Sequence, residues 1–238
     1  MRLRIESDLH VEFNKGYRSK ADDIDVLVLA GDVGQNHNAL NYCRDLLEEN
    51  KSLQIVMVGG NHFLYNSGHY DFWKSMETMR IEGKNLGTES HNPRFYFLEN
   101  ESVIINGIRF IGADLWSDFS KKDEYAMNHA ERRMNDFRYI CCGNFRKLLT
   151  PNIAYNMHKE SVKYIFNEIE NSYLPTVVVT HHRPYLNGSE DLLGYAYGSD
   201  LSEHFNNLTN LPLLWCYGHD HSSRDFDLEC TAGKLRVV

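Results

Sequence analysis

Apolar residues occur along the chain in two patterns, short unbroken runs and longer segments with helical spacing. The unbroken runs are rich in β-branched residues, which is typical of buried strands. They predict strands at Val26–Ala30, Gln54–Val58, Thr176–Thr180 and Leu213–Tyr217. Apolar residues recur about every 3.6 positions over Ala39–Glu49 and Ile153–Ile169, which predicts two helices. Strands that alternate with helices favour a layered α/β fold.

A predicted hairpin interrupts this alternation. Ser102–Ile105 and Ile108–Ile111 flank Asn106-Gly107, and Asn-Gly favours the type I′ turn that matches strand twist. The sheet is therefore expected to be mixed. Residues 83–94 predict a loop within the fold, and residues 1–238 are expected to form a single domain.

Five polar clusters lie at the ends of strand-like runs, and each is rich in Asp, His or Asn. They are Asp8-Leu9-His10, Gly31-Asp32, Gly60-Asn61-His62, Thr180-His181-His182 and Gly218-His219-Asp220-His221. Open α/β sheets place ligands beyond the carboxyl ends of their strands, so these residues are expected to converge. Carboxylate and imidazole ligands suit Mn²⁺, Fe or Zn²⁺. The clusters therefore predict a site for two metal ions, with Asp32 as the candidate bridging carboxylate.

Composition and charge narrow the range of partners. The formal net charge of −8 argues against a long nucleic-acid footprint. No apolar run approaches the roughly 20 residues that span a bilayer, and the N-terminus lacks the apolar region of a signal peptide. Five cysteines without a Cys-x-x-Cys pair are expected to be reduced thiols. We therefore expect a cytoplasmic protein with no membrane partner, in an oligomeric state that the sequence leaves open.

The ordered clusters resemble the calcineurin-like metallophosphoesterase superfamily over residues 8–221. The surrounding sequence is similar to a bacterial and phage branch of it in three segments, Ala113–Phe119, Met134–Arg138 and Thr180–Pro184. The resemblance implies a four-layer αββα sandwich, an α/β fold with two mixed sheets flanked by helices. Relatives in this branch continue past an Arg-Val-Val strand, whereas this sequence stops at Val238, so either the sequence is truncated or this member lacks the tail.

The resemblance also implies a role for each cluster residue. It assigns one ion to Asp8, His10, Asp32 and His221, and the second ion to Asp32, Asn61, His181 and His219. A hydroxide that bridges the ions would attack phosphorus, and His62 would protonate the leaving oxygen, so Asp32 and His62 are the expected catalytic residues. The ions are expected to be Mn²⁺, with Fe, Zn²⁺ and Ni²⁺ as alternatives.

Two departures from the superfamily pattern concern the region around Asp32 and His62. Protein serine/threonine phosphatases carry an acid directly after the histidine that corresponds to His62, and this chain has Phe63 there. Purple acid phosphatases have a tyrosine three residues after the bridging aspartate, where this chain has Gln35. The acid that would orient His62 is therefore missing at its usual position.

Other polar and aromatic residues have two interpretations each. Arg138 and Arg183 are candidates for contact with substrate phosphate, because a planar guanidinium pairs well with phosphate oxygens, but either could be a surface ion-pair residue. His182 either supports the metal ligands from behind or lines the substrate pocket, or it is a satisfied surface histidine. An aromatic group is expected in the core rather than as a base-stacking platform: Trp116, Phe119, Phe137 and Tyr139.

The residues and the resemblance together predict a metal-dependent phosphoric ester hydrolase, a phosphatase or a phosphodiesterase, with a small phosphorylated substrate. Two alternatives remain, a nuclease of the same superfamily and a non-catalytic scaffold or binding protein that keeps the fold. Scaffold relatives typically lose ligands or the catalytic histidine, whereas here the ligand positions and His62 are all present.

Overall fold

The computed structural model describes residues 1–35, 37–65, 72–84, 86, 93–142, 147–186, 188 and 190–238. These residues form ten strands: β1 (Leu3–Glu6), β2 (Val26–Ala30), β3 (Gln54–Val58), β4 (Phe95–Phe97), β5 (Glu101–Ile105), β6 (Ile108–Ala113), β7 (Thr176–Thr180), β8 (Leu214–Cys216), β9 (Phe226–Cys230) and β10 (Gly233–Val237). The helices are α1 (His37–Glu49), α2 (Phe72–Lys84), α3 (Phe119–Lys122), α4 (Glu124–Arg133), α5 (Asp136–Tyr139), α6 (Pro151–Glu170) and α7 (Ser202–Asn207).

The strands form two sheets. The first has the order β1-β2-β3-β4, and its described strands all run parallel. The second has the order β5-β6-β7-β8-β10-β9, with antiparallel pairs at its two edges and parallel pairs between them. The predicted α/β architecture of two sheets flanked by helices is confirmed. The expectation that both sheets are mixed holds for the second sheet alone, because the described strands of the first sheet all run parallel.

Alternation along the strands separates the layers, because successive side chains point to opposite faces of a sheet. In β2, Val26 and Val28 pack against Val179 of β7 in an apolar cluster between the sheets. Leu27 and Leu29 belong to a second cluster, which joins the first sheet to α1, α2 and α4. A third cluster joins the second sheet to α6 and α7. The order of layers is therefore helix, sheet, sheet, helix.

Most predicted elements are present, and capping or packing determines the residues at which they begin and end. The strands β2, β3 and β7 have the predicted bounds. Helix α6 begins at Pro151, two residues before the predicted start, because the Thr150 hydroxyl caps it by accepting a hydrogen bond from the Ile153 N–H at 3.3 Å.

The loop predicted at 83–94 is only partly testable, since residues 85 and 87–92 lie outside the described residues. Helix α2 extends to Lys84, so the loop begins later than predicted. The β9–β10 hairpin was not predicted, because the partly exposed β9 lacks an apolar run. No helix among the described residues is long and apolar enough to cross a membrane.

Candidate metal centre

The polar clusters predicted from the sequence converge at the carboxyl ends of five strands. The first sheet supplies Asp8 and His10 after β1, Asp32 after β2, and Asn61 and His62 after β3. The second sheet supplies His181 after β7, and His219 and His221 after β8. Parallel strands bring their carboxyl ends to one edge, and the two sheets meet face to face, so residues far apart in sequence come together there.

Three groups of side chains place potential ligand atoms within 4.8 Å of one another. They are Asp8, His10 and His221; His10, Asp32 and His62; and Asp32, His181 and His219. Asn61 joins the last group, since its Oδ1 lies 2.9 Å from His181 Nε2. Asp32 belongs to two of the groups and lies between them. The structure thus brings together all seven residues that the resemblance implies as ligands.

The loops that carry these residues hydrogen-bond to one another. The Asp8 N–H donates to the Gly31 carbonyl at 3.1 Å, and the Asp32 N–H donates to the Gly59 carbonyl at 3.1 Å. Across the two sheets, the His219 N–H donates to Asp8 Oδ2 at 3.0 Å. These bonds link neighbouring loops into one rigid rim.

The backbone is left-handed at most of these positions, although none of the residues concerned is glycine. The φ angles are 54° at Asp8, 44° at His10, 51° at Asp32, 73° at His219 and 52° at His221. A left-handed conformation costs a non-glycine residue about 1–3 kcal/mol, and such residues persist where the surrounding structure fixes them. Their occurrence at five of the candidate ligands supports a functional role for the cluster.

Two glycines make room for the cluster. At Gly60 the φ angle is +79°, and a Cβ atom there would lie 2.5 Å from the Asp32 backbone nitrogen and would overlap its carboxylate. A Cβ atom on Gly31, at φ +91°, would overlap the His181 ring. Only glycine permits these close approaches.

His181 shows that the site is built for positive charge. Its Nδ1 donates to the Ala30 carbonyl at 2.9 Å, so the lone pair of a neutral ring would lie on Nε2. That Nε2 faces two acceptors, Asn61 Oδ1 at 2.9 Å and Asp32 Oδ2 at 3.3 Å. Burial disfavours a charged ring, but the Asp32 carboxylate outweighs it and raises the pKa of His181 to about 10. Either a proton or a cation must therefore lie among these atoms.

Two further nitrogens support binding of a metal ion. His10 Nδ1 and His219 Nε2 are buried and have no hydrogen-bond partner among the described residues. Buried polar atoms are normally paired, and an ion is one explanation for those that are not. Carboxylate, amide and imidazole donors suit Mn²⁺, Fe or Zn²⁺. The residues present thus fit an ion-binding centre.

His62 lies at the edge of the cluster in a short 3₁₀ helix, His62–Leu64. Its backbone N–H donates to Asp32 Oδ1 at 2.8 Å. Its ring stacks on Tyr65 with 4.3 Å between centroids, and meets the His10 ring edge-on at 4.5 Å. Burial lowers the pKa of His62, against the pull of the Asp32 charge.

A cleft of about 560 Å³ opens beside the cluster. His62, Asp32, Asn61, His219 and His221 line its inner end. The remaining wall is polar and mixed in charge, and includes Arg133, Asn135, Asp136, Arg183, Glu190, Tyr197, Asp220 and Arg224.

The three residues predicted to contact substrate lie in different places. Arg183 lines the cleft, where its guanidinium pairs with Glu190 at 3.2 Å and lies 3.8 Å from Asp220. Arg138 is exposed and does not line the cleft; its guanidinium donates to the Arg132 carbonyl at 2.5 Å.

His182 lies behind the cluster and not on the cleft wall. It is buried, its Nδ1 donates to the Asp114 carbonyl at 3.1 Å, and its ring lies 4.3 Å from that of His219. Burial together with the neighbouring His181 lowers the pKa of His182 to about 3. It therefore supports the cluster as a neutral ring.

The aromatic group predicted for the core is mostly there. Trp116, Phe119 and Phe137 are buried in the cluster on the outer face of the first sheet. Tyr139 is 48% exposed and packs edge-on against Tyr65 at 5.7 Å. Sequence reasoning missed Tyr65, because a lone tyrosine three residues after His62 matches no motif.

A family model described as calcineurin-like phosphoesterase matches residues 1–223. The chain belongs to the calcineurin-like phosphoesterase family. Membership, predicted from the clusters, is thereby confirmed; it makes the protein a metal-dependent phosphoester hydrolase and implies a dinuclear centre of divalent ions.

Two comparisons place this calcineurin-like phosphoesterase among known proteins. It is 30% identical over 255 residues to the uncharacterized protein L509 of Acanthamoeba polyphaga mimivirus, covering 94% of this chain and 86% of the relative. Its structure is similar to a dimetal phosphatase from Danio rerio with a TM-score of 0.50 and 11% identity, covering 100% of this chain and 86% of that one. At this identity the structural likeness supports the fold alone.

Proposed function

We propose that this phosphoesterase hydrolyses small phosphate monoesters or diesters in the cleft beside the metal centre. The observation that carries the proposal is that four of the candidate ligands, Asp32, Asn61, His219 and His221, line this cleft together with His62. Its volume of about 560 Å³ lies within the range of small-molecule sites. The acidic net charge of −8 disfavours long nucleic acids as substrates.

The chain's own residues divide between two ion positions. We assign one position to Asp8, His10, Asp32 and His221, and the other to Asp32, Asn61, His181 and His219; the close approach of these ligand atoms supports the assignment. When bound, a pair of divalent ions supplies an activated water and neutralises charge on the phosphoryl group. Mn²⁺ is the ion we propose, with Fe, Zn²⁺ and Ni²⁺ as the alternatives that these donors accept.

His62 is the proposed acid for the leaving group. Its backbone is tied to Asp32 at 2.8 Å and its ring lies on the cleft wall, so it is held next to the reacting phosphate. Proton donation to a leaving oxygen typically contributes about 10²–10⁴-fold to the rate.

Arg183 is the proposed contact for the non-reacting part of the substrate. Glu190 holds its guanidinium at 3.2 Å, and the Arg183 side chain is almost fully buried, so little entropy is lost when it binds an anion. Arg133 and Arg224 line the same wall. The exposed Arg138 lies outside the cleft and is the weaker candidate.

The test is hydrolysis of p-nitrophenyl phosphate and bis-p-nitrophenyl phosphate by metal-stripped protein to which Mn²⁺ is restored. We expect turnover that requires Mn²⁺ and falls by at least about 10²-fold in Asp32→Asn, since that carboxylate serves both ion positions. Asp23→Asn, at an exposed position, is the matched control. The ratio of the two rates separates a phosphatase from a phosphodiesterase.

Absence of turnover with Mn²⁺, Fe²⁺, Ni²⁺ and Zn²⁺, in protein that binds two ions, would contradict hydrolysis of generic esters. That outcome would favour the non-catalytic binding protein considered above.

A further inference from the structure

A buried carboxylate outside the ligand set connects two residues of the centre. Asp136, the first residue of α5, is 1% exposed. Its Oδ1 accepts hydrogen bonds from Asn61 Nδ2 at 2.8 Å and from the Tyr65 hydroxyl. Burial raises the pKa of Asp136, and these two donors oppose the rise. A buried acid is costly, so its placement here calls for a function.

The first contact of Asp136 fixes the amide of Asn61. A carboxamide has one acceptor end and one donor end, and the two can exchange by rotation about the last bond. Because Asp136 holds Nδ2, the acceptor Oδ1 points at His181 Nε2 and the other ligand atoms. With the amide reversed, an NH₂ group would face the ion position, which a cation does not tolerate.

The second contact fixes Tyr65, and through it the ring of His62. The Tyr65 ring lies nearly parallel to the His62 ring, at 29° and 4.3 Å, and the Tyr139 ring of α5 meets it edge-on at 5.7 Å. His62 Nδ1 is buried without a hydrogen-bond partner among the described residues. Phe63, which occupies the place of the acid found in protein phosphatases, is 2% exposed in the core. Stacking, not an acid, therefore orients His62.

We infer that Asp136 and Tyr65 are positioning residues, which hold the Asn61 amide with its oxygen toward the metal centre and the His62 ring against the leaving group. The His62 part of this inference rests on the proposed function. The Asn61 part concerns ion binding alone. Asp136 and Tyr139 of the four-residue helix α5 thus hold Tyr65, and the Tyr65 ring takes the place of the acid that is missing after His62.

The first experiment is calorimetric titration of metal-free protein with Mn²⁺. Asp136→Ala is expected to bind one of the two ions about 10- to 100-fold more weakly, the usual effect of removing a group that orients a ligand. Asp136→Asn keeps an acceptor oxygen and is expected to retain most of the affinity. Asp23→Asn is the control for the loss of one negative charge. If Asp136→Ala does not fold, Asp136→Leu fills a similar volume without an acceptor.

The second experiment compares esters with good and poor leaving groups, p-nitrophenyl phosphate and phenyl phosphate. Tyr65→Leu removes the ring that stacks on His62 and is expected to lose about 10-fold more on phenyl phosphate, because only a poor leaving group needs the proton. Tyr65→Phe keeps the ring and is expected to lie between Tyr65→Leu and wild type. Tyr125→Phe, at an exposed position, controls for the loss of a hydroxyl.

Two results would overturn the inference. One is wild-type affinity for both ions in Asp136→Ala and Asp136→Leu. The other is an equal loss on the two esters in Tyr65→Leu, which a merely structural role would produce. If the wild type hydrolyses neither ester, the proposed function fails and the His62 part fails with it, while the titration still decides the Asn61 part.

Discussion

At the scale of single residues, the metal centre depends on a glycine that leaves space where any other residue would place a side chain. Gly60 and Gly107 have the same φ angle, +79°, but differ in their surroundings. A Cβ atom on Gly60 would overlap Asp32, whereas one on Gly107 would have nothing within 4 Å. Alanine at Gly107 would therefore add backbone strain alone, whereas alanine at Gly60 would add the same strain and a steric conflict with Asp32.

We predict that Gly60→Ala and Gly107→Ala each lower the free energy of unfolding through backbone strain, about 1–2 kcal/mol. Gly60→Ala must also displace Asp32, so it alone is expected to weaken Mn²⁺ binding. Urea unfolding measures the first effect and calorimetric titration the second. Equal Mn²⁺ affinity in the two variants would show that Asp32 can move without loss of affinity. That result would contradict a rigid arrangement of the loops at the metal centre.

At the scale of elements, a pair of buried acids supports the loop after β3. Asp114, directly after β6, accepts a hydrogen bond from the Gly60 N–H at 2.8 Å and donates its own N–H to Glu99 Oε2 at 2.8 Å. Burial raises the pKa of Asp114 to about 6, and burial together with the Asp114 charge raises that of Glu99. The folded chain thus holds a proton that the unfolded chain releases near its ordinary pKa of 3.8.

This shift predicts a dependence of stability on pH. Because the folded-state pKa is above the unfolded one, stability falls as the pH rises from about 4 to 6, by on the order of 2–3 kcal/mol, and stays lowered above that range. Asp114→Asn keeps the acceptor for Gly60 and has no proton to lose. Its metal-free form is expected to gain stability relative to wild type in urea unfolding at pH 7.5, and much less at pH 4.5. A difference that is the same at both pH values would assign the effect to packing.

Some elements of the site could be predicted from the sequence, and others could not. Clusters such as Gly31-Asp32 follow apolar runs, so the ends of their strands could be placed and their convergence expected. Helix α5 has four residues and no periodicity, and its Asp136 meets Tyr65 across 71 positions of sequence. Only tertiary packing brings them together, and no pattern in either segment indicates the contact. The sequence could not distinguish Arg138 from Arg183 either. Both are arginines that could bind phosphate, and only the fold places Arg183 on the cleft wall and Arg138 away from it.

At the scale of the whole molecule, the metal centre joins the two sheets. Asp8 and Asp32 follow strands of the first sheet, while His181, His219 and His221 follow strands of the second. Between the sheets lies an apolar cluster, which positions the layers but supplies no polar contact at the rim. Each of the two proposed ion positions would draw ligands from both sheets. Bound ions would therefore add cross-links between layers that already associate through apolar packing and through hydrogen bonds at the rim, such as the one from the His219 N–H to Asp8.

We predict that removal of metal lowers the stability of the whole fold and not only of the loops. An ion that binds the folded chain alone stabilises it by RT ln(1 + [ion]/Kd), which is about 2.7 kcal/mol at a hundred times Kd. The melting temperature is therefore expected to fall in EDTA and to rise with the logarithm of Mn²⁺ concentration. Asp8→Asn replaces a charged carboxylate ligand of the first sheet with a neutral amide. Its melting temperature is therefore expected to rise less with Mn²⁺. A melting temperature that does not respond to EDTA or Mn²⁺, in protein shown to bind the ion, would mean that the two sheets hold this geometry without it.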